Sequence, residues 1–332
     1  MKIVKNKEIN NIKWKKLLDI SSYASPFQSP EYYDFFNSVT GLVADVFAVE
    51  EGNEYTSLVV VTIQKEKGLK AYFSRRGIIY GGPLVVNNNE RSVLFLIDKI
   101  TDYYKRKLIY LEIRNFFNYS QLDSEFENKK WNFIPYLNST LNIESKTLQE
   151  LLQGMKYNRR REIKLSLERN AFYKECETDE ELSFLYNIIN NLYNSRVKLP
   201  IPDLDFFRQL WKSSIGKVFI VLHEGRVIGG SFCAYINGHS IYTMYYCGLR
   251  DYDKKIFPTH LAVLAAIDYA INNNCKILDF MGVGLKGEEY GVRSYKQEFG
   301  GELNEFGRYR KLLNPFLFKI GELGITILKK LK

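Results

Sequence analysis

The chain has 332 residues, about twice the length of a typical domain, so its length predicts two domains. Hydrophobic residues make up 45% of the sequence and charged residues 26%, which is typical of a folded globular protein and excludes a disordered or fibrous chain. The formal net charge of +9 favours anionic partners such as nucleic acid, nucleotide diphosphates or acidic lipids, without choosing among them.

The cysteines and histidines predict neither a disulfide framework nor a metal site. The four cysteines are far apart and form no Cys-x-x-Cys pair, and the three histidines lack the spacing of metal ligands. Reduced core thiols are typical of a cytoplasmic protein. The N-terminus has no apolar segment of the signal-peptide kind, and no run of about 18 apolar residues could span a membrane. We therefore expect a cytoplasmic protein without metal.

Two halves of the sequence carry the same order of predicted elements. The first half has a strand–turn–strand at 44–64, a strand at 70–82, a helix at 91–107 and a strand at 107–115. The second half has a strand–turn–strand at 216–236, a strand at 241–250, a helix at 258–274 and a strand at 275–282. This repetition predicts an α+β protein with two similar domains.

This order of elements resembles the GNAT acyltransferase fold, present twice. The tandem arrangement and the segment DFMGVGLKGEEYGVRSYKQEFGGELNEFGRYRKLLNPFLFKI at 279–320 resemble the Fem family of peptidoglycan aminoacyltransferases. Supporting segments are FQSPEYYDFF at 27–36, GIIYGGPLV at 77–85 and TLQELLQGMKYNRRREIKLS at 147–166. Asn170 departs from the glycine that usually follows the basic helix of this family, and no long coiled-coil arm interrupts the second half. The resemblance implies two tandem GNAT-like domains with mixed sheets flanked by helices.

The predicted domains are 1–145 and 146–332. A basic helix at 147–166 opens the second domain, and an amphipathic helix ends it. The apolar stripe of that last helix consists of Phe316, Ile320, Leu323, Ile327 and Leu331. We expect this stripe to pack against the domain; a peripheral contact with the anionic inner face of a membrane is the alternative.

The segment from Asp279 onward carries the candidate catalytic chemistry. Asp279 ends an inner strand, and the glycines that follow, including Gly282 and Gly284, predict a mobile loop at 281–291 that approaches a ligand closely. In acyl transfer an amine attacks an ester or thioester, and a fixed cation near the carbonyl oxygen stabilises the developing negative charge. Lys296 follows this loop, and the residues alone fit a surface lysine between two buried aromatics equally well.

The resemblance assigns roles to these residues. It implies that Lys296 is the lysine of the catalytic loop and that Asp279 orients a reactant or accepts a proton. Tyr295 and Phe299 would then lie beside the substrate. It also implies that Arg196 faces the diphosphate of the acceptor. Arg75, at a strand end beside a glycine turn, could line the acceptor side of a cleft between the domains.

The segment before the second-half helix bears on the acyl donor. GNAT enzymes that use acetyl-CoA hold its pyrophosphate on a glycine-rich turn at the start of this helix. The corresponding residues 248–261, GLRDYDKKIFPTHL, contain a single glycine. This favours an aminoacyl-tRNA ester as the donor over acetyl-CoA.

The basic helix is open to two interpretations. Lys156, Arg160 and Lys164 share one helical face, with Arg159 at its side. These four residues are candidates for binding the phosphates of tRNA or of a nucleotide sugar. A solvated helix face with Glu162 and Glu168 as charge partners is equally compatible with the pattern.

The sequence thus predicts an aminoacyltransferase that moves an aminoacyl group from charged tRNA to an amine of a nucleotide- or lipid-linked muramyl peptide, without a bound cofactor. The alternative enzyme is an N-acyltransferase that acts on an amino sugar of a surface polysaccharide, with acyl-CoA or an acyl carrier protein as donor. The non-enzymatic alternative is a basic RNA-binding module that has kept the transferase fold without its chemistry.

Overall fold

The chain forms two compact units in a computed structural model that describes residues 1–66, 68–288 and 290–330, of which 69, 70 and 325–330 are described by their backbone alone. The first unit comprises Met1–Tyr136 and Phe306–Lys332, and the second comprises Leu137–Glu305. The second unit is therefore inserted into the sequence of the first.

The first unit is built on one mixed sheet. Its strands are β1 (Lys2–Lys5), β2 (Val43–Glu51), β3 (Glu54–Gln64), β4 (Arg76–Gly81), β5 (Leu84–Val85), β6 (Tyr110–Asn115), β7 (Asn132–Ile134) and β15 (Arg308–Leu312). Its helices are α1 (Asn11–Ile20), α2 (Pro30–Ser38), α3 (Glu90–Tyr104), α4 (Asp123–Asn128) and α11 (Pro315–Lys330). The strand order is β1-β2-β3-β4-β6-β15-β7, with β5 paired to β3. The amphipathic helix α3 packs its apolar stripe on this sheet and completes the core.

The second unit is built on a second mixed sheet. Its strands are β8 (Tyr136–Asn142), β9 (Phe172–Glu175), β10 (Gly216–His223), β11 (Arg226–Ile236), β12 (Ser240–Gly248), β13 (Ile277–Leu285) and β14 (Glu302–Asn304). Its helices are α5 (Leu148–Gly154), α6 (Tyr157–Glu168), α7 (Asp179–Leu192), α8 (Leu204–Lys212), α9 (Pro258–Asn272) and α10 (Gly291–Gln297). The strand order is β14-β8-β13-β12-β11-β10-β9.

The predicted duplication is confirmed by the topology of both sheets. In the first unit, β2, β3 and β4 form an antiparallel meander, and α3 connects β4 to the parallel strand β6. In the second unit, β10, β11 and β12 repeat the meander, and α9 connects β12 to the parallel strand β13. The α+β fold class predicted from the sequence is likewise confirmed.

The boundary between the units differs from the predicted one at 145/146. β8 joins the second unit because it pairs with β14 in the second sheet. The segment after Glu305 returns to the first unit, where β15 is inserted between β6 and β7. The C-terminal helix α11 consequently belongs to the first unit, and the predicted stripe positions Ile327 and Leu331 lie outside the side chains that the structure describes.

Helix α9 is the central helix of the second unit. Proline at its first position fixes a helical φ without losing an internal hydrogen bond, and small or aliphatic residues then cover all of its faces. A helix that is apolar all round is stable only when it is buried, and α9 packs on β10, β11 and β12. No helix in the described ranges is long and apolar enough to cross a bilayer.

Candidate active site

The candidate site lies where two parallel strands of the second unit stop pairing. The register between β12 and β13 runs from Ser240 opposite Ile277 to Tyr242 opposite Asp279. β12 then contains a β-bulge. Thr243 pairs with Cys233 of β11, but Tyr245 pairs with the adjacent residue Phe232, so β12 has one extra residue at this point. Both strands continue beyond this point, so side chains and backbone groups that would otherwise be enclosed in a continuous sheet become available to a ligand.

Asp279 is the carboxylate at this position. Its side chain is 2% exposed. It accepts a hydrogen bond from the backbone N–H of Met281 and interacts with the side chain of Asn138 on β8. Burial raises the pKa of Asp279 to about 7, although these contacts and the charge of Lys296 favour the ionised form. A carboxylate with such a pKa can gain or lose a proton near neutral pH.

Lys296 is buried beside the same strand. It lies on the short helix α10, and its ammonium group donates to the backbone carbonyls of Phe280 and Gly282, the latter at 3.1 Å. Burial lowers its pKa to about 8, and the charge of Asp279 opposes this shift. An ammonium group has three N–H donors, and two are used by these carbonyls, so the third can be directed to a substrate oxygen.

The structure brings the two candidate catalytic residues into one neighbourhood, and their catalytic roles stay a prediction. The environment of Lys296 differs from one of the two expectations. Lys296 is an interior side chain rather than a surface lysine between aromatics, at 5% exposure. Its ammonium is held by β13, which also carries Asp279, so strand and short helix are tied together at the site. Asp279 lies inside this strand rather than at its end, where the sequence predicted it.

Tyr295 and Phe299, which were predicted to lie beside the substrate, pack together next to Lys296. The ring of Tyr295 stacks on that of Tyr246 at a centroid distance of 5.8 Å and contacts Phe299 at 5.3 Å. The Tyr295 hydroxyl lies 3.1 Å from Nδ1 of His260 on α9. Phe299 is fully buried, so it supports the site from behind.

Arg159, predicted as a phosphate ligand beside the basic stripe of α6, turns inward instead. Its side chain is buried, donates to Glu298, and contacts His260 through Nη1. Its guanidinium carbon lies 4.5 Å from the Tyr295 ring centroid and 4.8 Å from that of Phe299. Arg159 therefore holds the short helix that carries Lys296, because its guanidinium needs buried acceptors and finds them there.

His260 completes this group, which we call the Arg159 cluster (Arg159, Glu162, His260, Tyr295 and Glu298). Burial and, to a smaller extent, the charge of Arg159 together lower the pKa of His260 to about 3. The imidazole is consequently neutral at physiological pH. Its Nε2 lies within hydrogen-bond distance of both Arg159 and, at 3.0 Å, the Glu162 carboxylate, and its Nδ1 contacts the Tyr295 hydroxyl. The sequence had given no reason to connect His260 with α6 or α10.

The other predicted phosphate ligands of α6 are on its outer surface. Lys156 is the exposed residue that precedes the helix. Arg160 donates to the carbonyl of Gln153 at 2.9 Å, and Lys164 pairs with Glu168 at 3.7 Å. Their helical spacing still places these three cations on one face, so phosphate binding there stays a prediction.

The glycine-rich segment is more ordered than a mobile loop. β13 extends to Leu285, past both Gly282 and Gly284. Gly284 has a φ of +88°, which a side chain would strain. Arg293 donates to the carbonyls of Val283, Leu285 and Glu288, and so encloses the segment. Arg293 was missed by the sequence analysis because nothing in its neighbours marks it as a donor to backbone carbonyls.

The two remaining predicted ligands occupy different units. Arg196 lies in the second unit, in the exposed π-helical turn Tyr193–Val197 that follows α7. Arg75 lies in the first unit just before β4, with its guanidinium 5.8 Å from the Tyr72 ring centroid. Its Nε atom is buried and has no acceptor among the described residues. Substrate binding by either arginine stays a prediction.

The pKa values at the site predict a bell-shaped pH profile for kcat. The roles predicted from the sequence, a proton acceptor for Asp279 and a fixed cation for Lys296, require the carboxylate ionised and the ammonium protonated, and their pKa values are about 7 and about 8. We expect the rate to fall below pH 7 as the carboxylate takes up a proton, and above pH 8 as the ammonium loses one. Steady-state rates between pH 5.5 and 10 measure this; a rate that is flat from pH 6 to 10 would contradict the assignment.

Comparison with known proteins agrees with this geometry. Residues 153–297 match the family described as acetyltransferase (GNAT) domain. The second unit carries a GNAT acyltransferase domain. The chain is accordingly an acyltransferase, as the sequence predicted. The match covers α6, α9, β13 and α10, and with them Arg159, His260, Asp279 and Lys296.

Solved structures extend the similarity to the whole chain. FemX superimposes with a TM-score of 0.74 at 15% identity, covering 96% of this chain and 99% of that one. A tandem GNAT protein from the clavulanic acid biosynthesis pathway gives 0.59 at 10% identity, covering 95% and 99%. L-PGS from Bacillus licheniformis gives 0.55 at 12% identity, covering 95% and 96%. The predicted likeness to the Fem family is thereby confirmed for the fold. Curated protein sequences include no match to the chain.

Proposed function

We propose that this acyltransferase moves an aminoacyl group from charged tRNA to an amine of a peptidoglycan precursor. The observation that carries the proposal is the buried ammonium of Lys296, fixed by two carbonyls of β13 next to Asp279. A cation held in this way need not reorganise when negative charge develops on a carbonyl oxygen. The likeness to FemX supports an acceptor of the peptidoglycan class.

The proposed reaction needs no nucleophile from the protein. The neutral amine of the acceptor attacks the ester carbonyl carbon, and a C–N bond forms while the oxygen takes on negative charge opposite Lys296. Asp279 receives the proton that the amine loses. The ester C–O bond then breaks, and the leaving ribose oxygen takes up the proton that Asp279 had received, so the products are an amide and an alcohol and Asp279 is ionised again.

The start of α9 supports a donor other than acetyl-CoA. Pro258 has no N–H, and the N–H groups of His260 and Leu261 both donate to the carbonyl of Phe257. A β-carbon added at Gly248 would lie 2.6 Å from the backbone nitrogen of Thr259. The backbone at Gly248 therefore covers the N–H of Thr259, the one remaining N–H of this turn. Such a helix end offers little to a pyrophosphate, which is usually bound by several free N–H groups.

Calorimetry with two ligands tests the proposed substrates. We expect a muramyl pentapeptide linked to a nucleotide diphosphate to bind, with an affinity that Arg196→Ala weakens at least tenfold and the matched surface change Arg226→Ala leaves unaltered. Acetyl-CoA should not bind. Binding of acetyl-CoA without the muramyl peptide would instead favour N-acylation of an amino sugar.

Transfer from charged tRNA is tested separately by the amide product. We expect radiolabelled amino acid to pass from tRNA to the acceptor in the presence of the wild-type protein. Neutralising Arg160 and Lys164 together should raise the KM for tRNA. If RNA binds but no label is transferred to any acceptor amine, the chain would be an RNA-binding module.

We also propose a peripheral contact of the first unit with anionic membranes. Phe316 and Leu323 on α11 are exposed at 72% and 63%, and α11 contacts the segment Gly68–Phe73, which carries the exposed residues Tyr72 and Phe73. Apolar side chains beside a basic residue such as Lys319 match the chemistry of an anionic bilayer surface.

Vesicle sedimentation checks this contact. Phe316→Ala with Leu323→Ala should reduce binding to vesicles that contain phosphatidylglycerol about tenfold, because each buried apolar side chain contributes roughly 1.5 kcal/mol or more. Phe184→Ala, a change at another exposed aromatic residue on α7, is the matched control. Equal binding of the double variant and the control would contradict the proposed surface.

A further inference from the structure

A second concentration of charge lies in the first unit, on residues that the proposed acyl transfer does not use. β6 and β15 pair with Arg308 opposite Arg114 and Arg310 opposite Glu112. Since alternate residues of a strand share a face, these four side chains project from the same face of the sheet. We call Arg114, Arg308 and Arg310 around Glu112 the arginine cluster.

The three guanidinium groups of the arginine cluster converge on one carboxylate. Nε of Arg114 lies 2.8 Å from Oε1 of Glu112, Nε of Arg310 lies 2.9 Å from Oε2, and Nη1 of Arg308 lies 3.5 Å from Oε1. Glu112 is 1% exposed, whereas the arginine side chains are 20–29% exposed. The carboxylate therefore forms the floor, and the guanidinium groups form the accessible rim.

The charges of the arginine cluster do not balance. Three cations surround one anion, and in the part of the chain that the structure describes Glu112 is the only acid within ion-pair distance of them. Burial and the charge of Arg114 lower the pKa of Arg308, while the three arginines lower that of Glu112. Half-buried positive charge in excess is unfavourable unless an anion compensates it.

Aromatic rings hold the guanidinium groups in place. The guanidinium carbon of Arg308 lies 3.5 Å from the Tyr136 ring centroid, that of Arg310 lies 5.2 Å from Tyr110, and that of Arg114 lies 5.3 Å from Tyr80. Such stacking restricts the side chains before any ligand arrives. Each guanidinium has about five N–H donors. Among the described residues these donors meet two acceptor side chains, the Glu112 carboxylate and the Tyr80 hydroxyl, so several donors can still bind an anion.

We propose that the arginine cluster binds a compact phosphate-type dianion, such as a phosphomonoester or a pyrophosphate group. Two uncompensated positive charges match the charge of a dianion, and paired N–H donors match the spacing of phosphate oxygens. Because the three guanidinium groups converge on one point, they suit a compact anion better than an extended polyanion. The arginine cluster includes neither Lys296 nor Asp279, so the proposal stands or falls independently of the acyl transfer.

Calorimetry with inorganic phosphate and pyrophosphate at constant ionic strength tests the site. We expect saturable binding at one site per chain. Arg308→Gln and Arg310→Gln should each weaken it at least tenfold. Arg208→Gln, which removes an arginine paired with Asp179 in the second unit, should leave it unchanged. Absence of saturable binding, or binding that these cluster variants leave unaltered, would overturn the proposal.

Glu112→Gln separates an anion site from an internal ion network. If an anion binds, removal of the competing carboxylate should strengthen phosphate binding, and phosphate should raise the Tm of this variant more than that of the wild type. Weaker binding would overturn the proposal; if the variant does not fold, the Arg308→Gln result decides. A short oligoribonucleotide that binds more tightly than pyrophosphate through the same arginines would likewise overturn a compact ligand.

Discussion

Replacement of Lys296 by methionine is expected to lower kcat for acyl transfer about 100- to 1,000-fold. Methionine retains the length and packing of the side chain but removes the charge that faces the developing oxyanion. KM for the acceptor should change little, because the loss concerns charge that exists mainly in the transition state.

Single-turnover transfer of a labelled aminoacyl group measures this effect. Lys286→Met is the matched control, since Lys286 is an exposed lysine on the same segment that pairs with Glu305. Thermal unfolding should accompany the assay, because methionine leaves the carbonyls of Phe280 and Gly282 without their donor. A folded Lys296→Met protein with a rate within threefold of wild type would exclude Lys296 as the catalytic cation.

Replacement of Arg159 by methionine is expected to destabilise the second unit by about 3 kcal/mol. The change removes a buried guanidinium from Glu298 and from the rings of Tyr295 and Phe299. Because these three residues flank Lys296, kcat should fall as well. Chemical denaturation checks the stability, and Arg161→Met, at an exposed position of the same helix, should change it by less than about 0.5 kcal/mol.

The titration of His260 distinguishes this cluster from simple packing. Arg159 lowers the pKa of His260, in addition to the larger effect of burial. The pKa measured by NMR should therefore rise in Arg159→Met, yet stay below the usual value for histidine because the ring is still buried. An unchanged pKa would show that the imidazole and the guanidinium do not interact.

The same pKa shifts set how the site affects stability. The raised pKa of Asp279 stabilises the fold at low pH, and this contribution is lost as the pH rises toward about 7. The lowered pKa of Lys296 stabilises the fold at high pH, and this contribution is lost as the pH falls through about 8. The pair thus contributes least to stability between these values, where its activity is expected to be greatest.

Local patterns in the sequence predicted most of the fold. Period-two alternation located β2, β3, β10 and β11, and the apolar periodicity located α3 and α9. The strand predicted at 70–82 begins only at Arg76, since a 3-10 turn occupies Gly68–Phe73. The return of β15 to the first unit could not be predicted, because its pairing with β6 joins residues far apart in the chain.

The residues of the candidate site also fall into two groups, those that local sequence patterns indicated and those that only the fold brings together. Asp279 and Lys296 were found because they lie within one short segment whose order of glycines and aromatics is informative. Arg159 was misplaced because three consecutive arginines in a polar helix give no sign of which one turns inward. Its partners Glu298 and His260 are more than 100 residues away, and only the packing of α6 on α9 brings them together.

The insertion of the second unit has a consequence for synthesis on the ribosome. When residue 136 has been made, the first unit still lacks β15, and the strands β6 and β7 have an open edge between them. The second unit is complete in sequence once Glu305 emerges, so it can fold before its host. A nascent chain therefore carries an unfinished sheet with unpaired strand edges for the whole time needed to translate the insertion, and chaperones that protect such edges should bind it during this interval.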